Sequence, residues 1–282
     1  MTQTAIRTTQ LPSGEKVPIL GQGTWHMGED VDRRQSEIAA LRLGLDLGMS
    51  LIDTAELYGS GASEHLIAEA IAGRRDEAFL VSKVLPNHAT RRGTMLACES
   101  SLKRLSTEHL DLYLLHWRGR VPLSETIEAF EQLVHSGKIR HWGVSNFDVP
   151  DMEELLALKN GPNIATNQVL YNLAHRGIEF DLLPFSRQRQ IPIMAYSPIE
   201  QGLLVENSEL RKLAKRHNAT PAQIALAWVL REESIIAIPK AGTPDHVREN
   251  REALNIQLTQ KDLEDLDNAF PPPTQKIPLE MI

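Results

Sequence analysis

Cysteine occurs once in the 282 residues, at position 98, so no internal disulfide can form, and a reducing cytoplasm is the expected setting. Long apolar runs are missing as well. No stretch approaches membrane-spanning length, and the opening MTQTAIRTTQLPSGEKV lacks the apolar centre of a signal peptide. Positive charge is in deficit: 30 Lys and Arg face 37 Asp and Glu, a net charge of −7. General nucleic-acid binding, which needs clustered cations against phosphates, is thereby disfavoured. The ten histidines form no H-x-H or H-E-x-x-H pair, and one cysteine makes no zinc site, so no metal centre is expected. Cys98 falls in helical register with Met95, Leu102 and Leu105, which suits core packing and not a nucleophile.

What the chain does have is a regular alternation. Short apolar runs (Ile19-Leu20, Leu51-Ile52, Phe79 to Val81, Leu112 to Leu115, Trp142 to Val144, Ala165 to Val169, Ile193 to Ala195, Ile235 to Ile238) recur about 31 residues apart. Between them lie helical periods such as Ile38, Leu41 and Leu45, or Ile127, Phe130 and Val134. One βα unit per step predicts parallel strands, and eight units without a composition break predict a single (β/α)8 TIM barrel over residues 1–282. An open doubly wound sheet is the weaker alternative, because GQGTWHMG does not match G-x-G-x-x-G. TTQLPSGEKVPIL reads as an N-terminal β-hairpin closing the barrel bottom. TPDHVREN and TQKDLEDLDNAF read as helices after the last strand, and the proline-rich PPPTQKIPLEMI as a non-helical tail.

Polar residues end each run: Gly23-Thr24-Trp25, Asp53, Lys83, His116-Trp117, Ser145-Asn146, Gln168, Tyr196-Ser197 and Lys240. Taken singly, each has an ordinary structural reading as a cap, a solvated charge or a satisfied core group. A barrel brings them all to its C-terminal mouth, where barrel enzymes keep their active sites. LIDTAELYGS adds Tyr58 beside Asp53. A phenol titrating near pH 10 is a poor acid at neutrality. A neighbouring ammonium is expected to lower that pKa, a carboxylate to hold the ammonium, and an imidazole to position a carbonyl oxygen. Asp53, Tyr58, Lys83 and His116 therefore suit protonation of a carbonyl oxygen, with hydride supplied by an organic cofactor.

The motifs GQGTW, LIDTAELY, VSK, LDLYLLHW, GKIRHWGVSNF, TNQVLYN, AYSP and IPKAGTPDHVREN resemble those of the aldo-keto reductase family along almost the whole chain. The resemblance implies a catalytic tetrad at Asp53, Tyr58, Lys83 and His116, with Tyr58 as proton donor. It implies NADPH in an extended pose, with NADH as a weaker option. Ser145, Asn146 and Gln168 would meet the nicotinamide carboxamide, and Tyr196 would stack on the ring. Gly23, Thr24 and Trp25, with Asp53, would lie near the ribose and nicotinamide. Ser197, Pro198, Ile199 and Gln201 would line the pyrophosphate. Lys240, Thr243 and His246 would face the 2′-phosphate, and Glu249 and Asn250 the adenine. Ala241 and His246 depart from the family pattern of a serine and an arginine, so a reduced, pH-dependent NADPH preference is expected.

Trp25, Leu57, Leu85 and Trp117 are expected to wall the substrate pocket, left open by a short tail. GMSLIDTA and AYSPIEQGLL resemble bacterial members acting on small aldehydes and α-dicarbonyls such as methylglyoxal, with a monomer as the expected state. Two other readings fit parts of the pattern. One is a Schiff-base aldolase using Lys83 or Lys240. The other is a non-catalytic NADP(H)-binding sensor barrel.

Overall fold

A computed structural model describes residues 5–282. The chain opens with an antiparallel hairpin, β1 (Thr8–Gln10) and β2 (Lys16–Pro18), whose turn uses Gly14 at φ 92°. Eight parallel strands follow in sequence order: β3 (Gln22–Gly23), β4 (Leu51–Asp53), β5 (Phe79–Val84), β6 (Leu110–Leu115), β7 (Ile139–Ser145), β8 (Asn167–Leu170), β9 (Ile193–Tyr196) and β10 (Ile235–Ala237). The sheet closes on itself through bridges from Leu20 to Ala237 and from Gly23 to Lys240. At that seam the Gly23 N–H donates to the Pro239 carbonyl at 3.0 Å. A Cβ on Gly23 would sit 2.6 Å from the Ile238 carbonyl oxygen, so only glycine allows this approach. The regular ladder of the first strand lies just past the Ile19-Leu20 run, and Leu20 contributes a single bridge.

Helices cover the outside: α1 (Arg34–Asp46), α2 (Ala62–Ala70), α3 (Arg91–Leu105), α4 (Leu123–His135), α5 (Val149–Ala157) and α6 (Leu182–Gln188) each follow a strand. Two helices, α7 (Ser208–Arg216) and α8 (Pro221–Leu230), lie between β9 and β10, and α9 (Pro244–Glu252) and α10 (Gln260–Ala269) come after β10. Their starts are written locally. Thr220 and Thr259 form capping boxes with Gln223 and Asp262, and Pro221 and Pro244 open α8 and α9 where a missing N–H costs nothing. Cys98 is fully buried on α3, and burial pushes its thiol up to about 12.

Strand alternation splits the apolar residues into two layers. Ile52, Leu80, Tyr113, Trp142 and Val169 face the helices, while Leu51, Val81, Leu112, Leu114, Met194 and Ile236 fill the barrel interior. Leu11 and Val17 of the hairpin join the inner layer and plug its lower end. Beyond α10 the tail is irregular, as its prolines dictate, but it does not leave the body. Lys276 pairs with Asp148 and Asp181 at 3.0 and 2.8 Å. Ile277 lies against Gly177, where any Cβ would meet it at 2.8 Å. Among the described residues no helix is long and apolar enough to cross a membrane.

Candidate active site

The same alternation that fills the barrel builds the site. Two positions beyond the inward Leu51, Val81 and Leu114 stand Asp53, Lys83 and His116, and beyond Met194 and Ile238 stand Tyr196 and Lys240. A period of two therefore places a polar side chain inside the mouth at the end of each such strand. Asp53, His116, Tyr196 and Lys240 line a cavity of about 700 Å³, and Lys83 lies just behind its wall.

Lys83 lies at the centre, with no exposed surface. Its Nζ donates to Asp53 Oδ2 at 2.7 Å, to the Thr54 carbonyl at 2.8 Å and to the Tyr58 hydroxyl at 3.1 Å. Asp53 is pinned from its other oxygen by the Gln168 amide at 2.7 Å, and its backbone carbonyl accepts from the Thr24 hydroxyl at 2.8 Å. Ser63 of α2 donates to the Thr24 oxygen at 2.8 Å and accepts from Thr54, so the floor is a closed network. Burial drives the Asp53 carboxyl up against the pull of Lys83. It would drive the Lys83 ammonium down, but Asp53 and Tyr58 outweigh it and hold that group charged.

Tyr58 leads into a loop bent through left-handed Gly59, Ser60 and Gly61, and its ring meets His116 in an edge contact with centroids 5.9 Å apart. The expected lowering of the phenol by Lys83 is real but does not win: burial is the larger effect, and the Tyr58 pKa is raised. The phenol therefore keeps its proton at neutral pH. Burial, with Lys83 adding to it, pushes His116 down to about 3, so its imidazole is neutral and its Nδ1 has no partner among the described residues.

On the far wall, Ser145 donates to the Gln168 carbonyl at 2.8 Å, and the Asn146 amide reaches Ser145 at 3.1 Å. The Tyr196 hydroxyl donates to Asn146 Oδ1 at 3.0 Å, and burial raises this phenol to about 12. Gly23, Thr24 and Trp25 line one side, and Ser197, Pro198, Ile199 and Gln201 another. Lys240 reaches the rim. Thr243, His246, Glu249 and Asn250 lie outside the lining, on α9 and its cap. The Thr243 hydroxyl accepts from the His246 N–H, and Glu249 accepts from Thr220.

Trp25, Leu57 and Trp117 line the cavity as expected of pocket walls, whereas Leu85 does not. Alternation would turn Leu85 inward, but β5 ends at Val84, and the Leu85 N–H turns aside to Glu56 at 2.7 Å. Sequence reasoning missed His26, Gly202, Ile238, Met281 and Ile282. His26 was readable as the neighbour of Trp25, on which it stacks at 4.5 Å. Met281 and Ile282 had no signal, and their presence makes the pocket less open than so short a tail suggested.

The Aldo/keto reductase family model matches residues 19–270. The chain belongs to the aldo/keto reductase family. The enzyme is 49% identical to the methylglyoxal reductase YeaE of Escherichia coli over 97% of this chain and 98% of that one. It is 33% identical to the glyoxal reductase of Bacillus subtilis, over 92% and 91%. Its fold superposes with a TM-score of 0.96 on an aldo-keto reductase from Klebsiella pneumoniae crystallised with NADPH. That protein is 48% identical, with 99% of this chain and 100% of that one covered. The enzyme is thus an oxidoreductase on a (β/α)8 barrel, not an open doubly wound sheet.

Proposed function

We propose that this reductase uses NADPH to reduce small aldehydes and α-dicarbonyls of the methylglyoxal type, with Tyr58 delivering a proton to the carbonyl oxygen. The observation that carries the reading is the Lys83 ammonium, buried behind the cavity wall and bonded at once to Asp53 and to the hydroxyl of Tyr58, both of which line it. NADPH, when bound, supplies the hydride.

The residues present fit that cofactor. Ser145, Asn146 and Gln168 offer a hydroxyl and two amides to a carboxamide, and the half-buried Tyr196 ring offers a face for stacking. Lys240, the Thr243 hydroxyl and the N-terminus of α9 suit a phosphate.

Tyr58 keeps its proton until negative charge grows on the substrate oxygen, and an alkoxide is a stronger base than a phenolate. Lys83 then stabilises the phenolate left behind, while Asp53 holds Lys83 charged and in place. His116, being neutral, can orient the carbonyl oxygen by hydrogen bonding without competing as an acid. Trp25, Leu57 and Trp117 give the substrate end apolar walls. The aldolase reading is weakened by the same geometry. Lys83 is charged and already donates three bonds, leaving no lone pair to attack a carbonyl.

Consumption of NADPH and of NADH should be followed with methylglyoxal and with a simple aromatic aldehyde, for wild type and Tyr58→Phe. The expected outcome is turnover that prefers NADPH and falls about 10²–10⁴-fold in the phenylalanine variant. Unchanged turnover in that variant would remove Tyr58 as proton donor, and tight cofactor binding without turnover would favour a sensor.

A further inference from the structure

Two loop segments contribute to the cavity wall. One follows β9 and contributes Ser197, Ile199, Gln201 and Gly202, running through positive φ at Ser197, Glu200, Gln201 and Gly202. The other is the tail, which contributes Met281 and Ile282. Neither packs a regular element into the mouth, yet one side chain touches both. His175 places Nε2 3.2 Å from Glu200 Oε1 and Nδ1 2.8 Å from Glu280 Oε1. Nδ1 hydrogen-bonds Glu280, and Nε2 lies within ion-pair distance of Glu200; a ring set between two carboxylates in this way is favoured as the doubly protonated imidazolium.

The ring's own base is rigid. Asn172, fully buried, accepts from the backbone N–H groups of Ala174 and His175, and donates to the Ser197 carbonyl and to Glu200. Arg176, next in the chain, is paired with Glu179 and Asp267. Glu200 and Glu280 are the charged groups that face the ring.

We propose that His175, as the imidazolium, is a positioning residue that couples the segment after β9 to the tail, so that the two walls hold one arrangement together. The inference rests on the reading that NADPH lies along the segment after β9. Burial of His175 works against its charge, but the two carboxylates prevail and raise its pKa above the ordinary value. The coupling is therefore complete below the ordinary histidine pKa and is lost as pH rises through the raised one.

The test is a double-mutant cycle on NADPH affinity, read by quenching of protein fluorescence, in wild type, Glu280→Gln, His175→Gln and the double variant. Glu280 does not line the cavity. Even so, Glu280→Gln is expected to weaken NADPH binding about fivefold in wild type and to add nothing in the His175→Gln background. Repeating the pH series with NADH, which lacks the phosphate that His246 would face, should show a loss of affinity with rising pH that His175→Gln abolishes. If Glu280→Gln changes only the KM for the carbonyl, or if the two effects simply add, the coupling is overturned and the cofactor reading stands. Failure of wild type to bind either nucleotide sinks both.

Discussion

The two ends of the barrel carry similar residues and put them to different use. At the lower end, Glu15 pairs with His141 at 2.6 Å, and Asp111 pairs with Arg75 and Arg140 at 2.8 and 3.2 Å. Most of these groups reach solvent, and the hairpin seals the interior above them with Leu11 and Val17. At the upper end, Asp53 and Lys83 are both buried; Asp53 and Tyr58 face a cavity, with Lys83 bonded directly behind them and no apolar plug between. Apart from the buried Asp111, lower-end charges are partly screened; upper-end charges are desolvated and fixed. Positive φ at His26, Ser60, Asn146, Ser197 and Gln201 also gathers round the mouth, where strain is held by its surroundings. An ion pair is therefore uninformative by itself, and its burial beside an open volume is what signals chemistry.

The contrast can be broken most severely with Lys83→Met. Asp53 would keep its burial but lose its cation, so thermal unfolding should show a loss of about 3–5 kcal/mol, less whatever protonation of Asp53 recovers. Turnover should fall at least about a hundredfold, and an activity within twofold of wild type would show that the ammonium is only structural. Leu11→Ala attacks the other end. Removing a buried plug residue should cost about 2–5 kcal/mol of stability in a denaturant titration while kcat barely moves. A large loss of kcat in the folded variant would mean the two ends are mechanically linked. Glu15→Gln is the mildest case: a half-exposed pair should be worth about 1 kcal/mol or less, and a larger drop in the midpoint would place the lower charges among the elements that hold the fold.

Fold and floor of the site were legible because both follow one rule. Period-two alternation that makes Leu51, Val81 and Leu114 inward also makes Asp53, Lys83 and His116 inward, and βα spacing makes their strands neighbours. What stayed hidden depends on where strands stop and loops turn. Leu85 obeys the alternation on paper, yet β5 ends one residue earlier. Met281 and Ile282 reach the mouth on a tail that Lys276, Ile277 and Glu280 tie to side chains and a glycine far away in sequence. The sign of the Tyr58 shift was also out of reach, since it turns on how far burial exceeds the pull of Lys83.

The seam between the first and last strands has a kinetic side. Leu20 and Gly23 meet Ala237 and Lys240 across nearly the entire sequence, so their pairing pays the largest loop-closure entropy in the barrel. The cavity straddles that seam, with Gly23, Thr24 and Trp25 on one side and Ile238 and Lys240 on the other. During synthesis, the seam side of the binding wall stays unclosed until the last strand leaves the ribosome. The site can thus be completed only as one of the final events of folding.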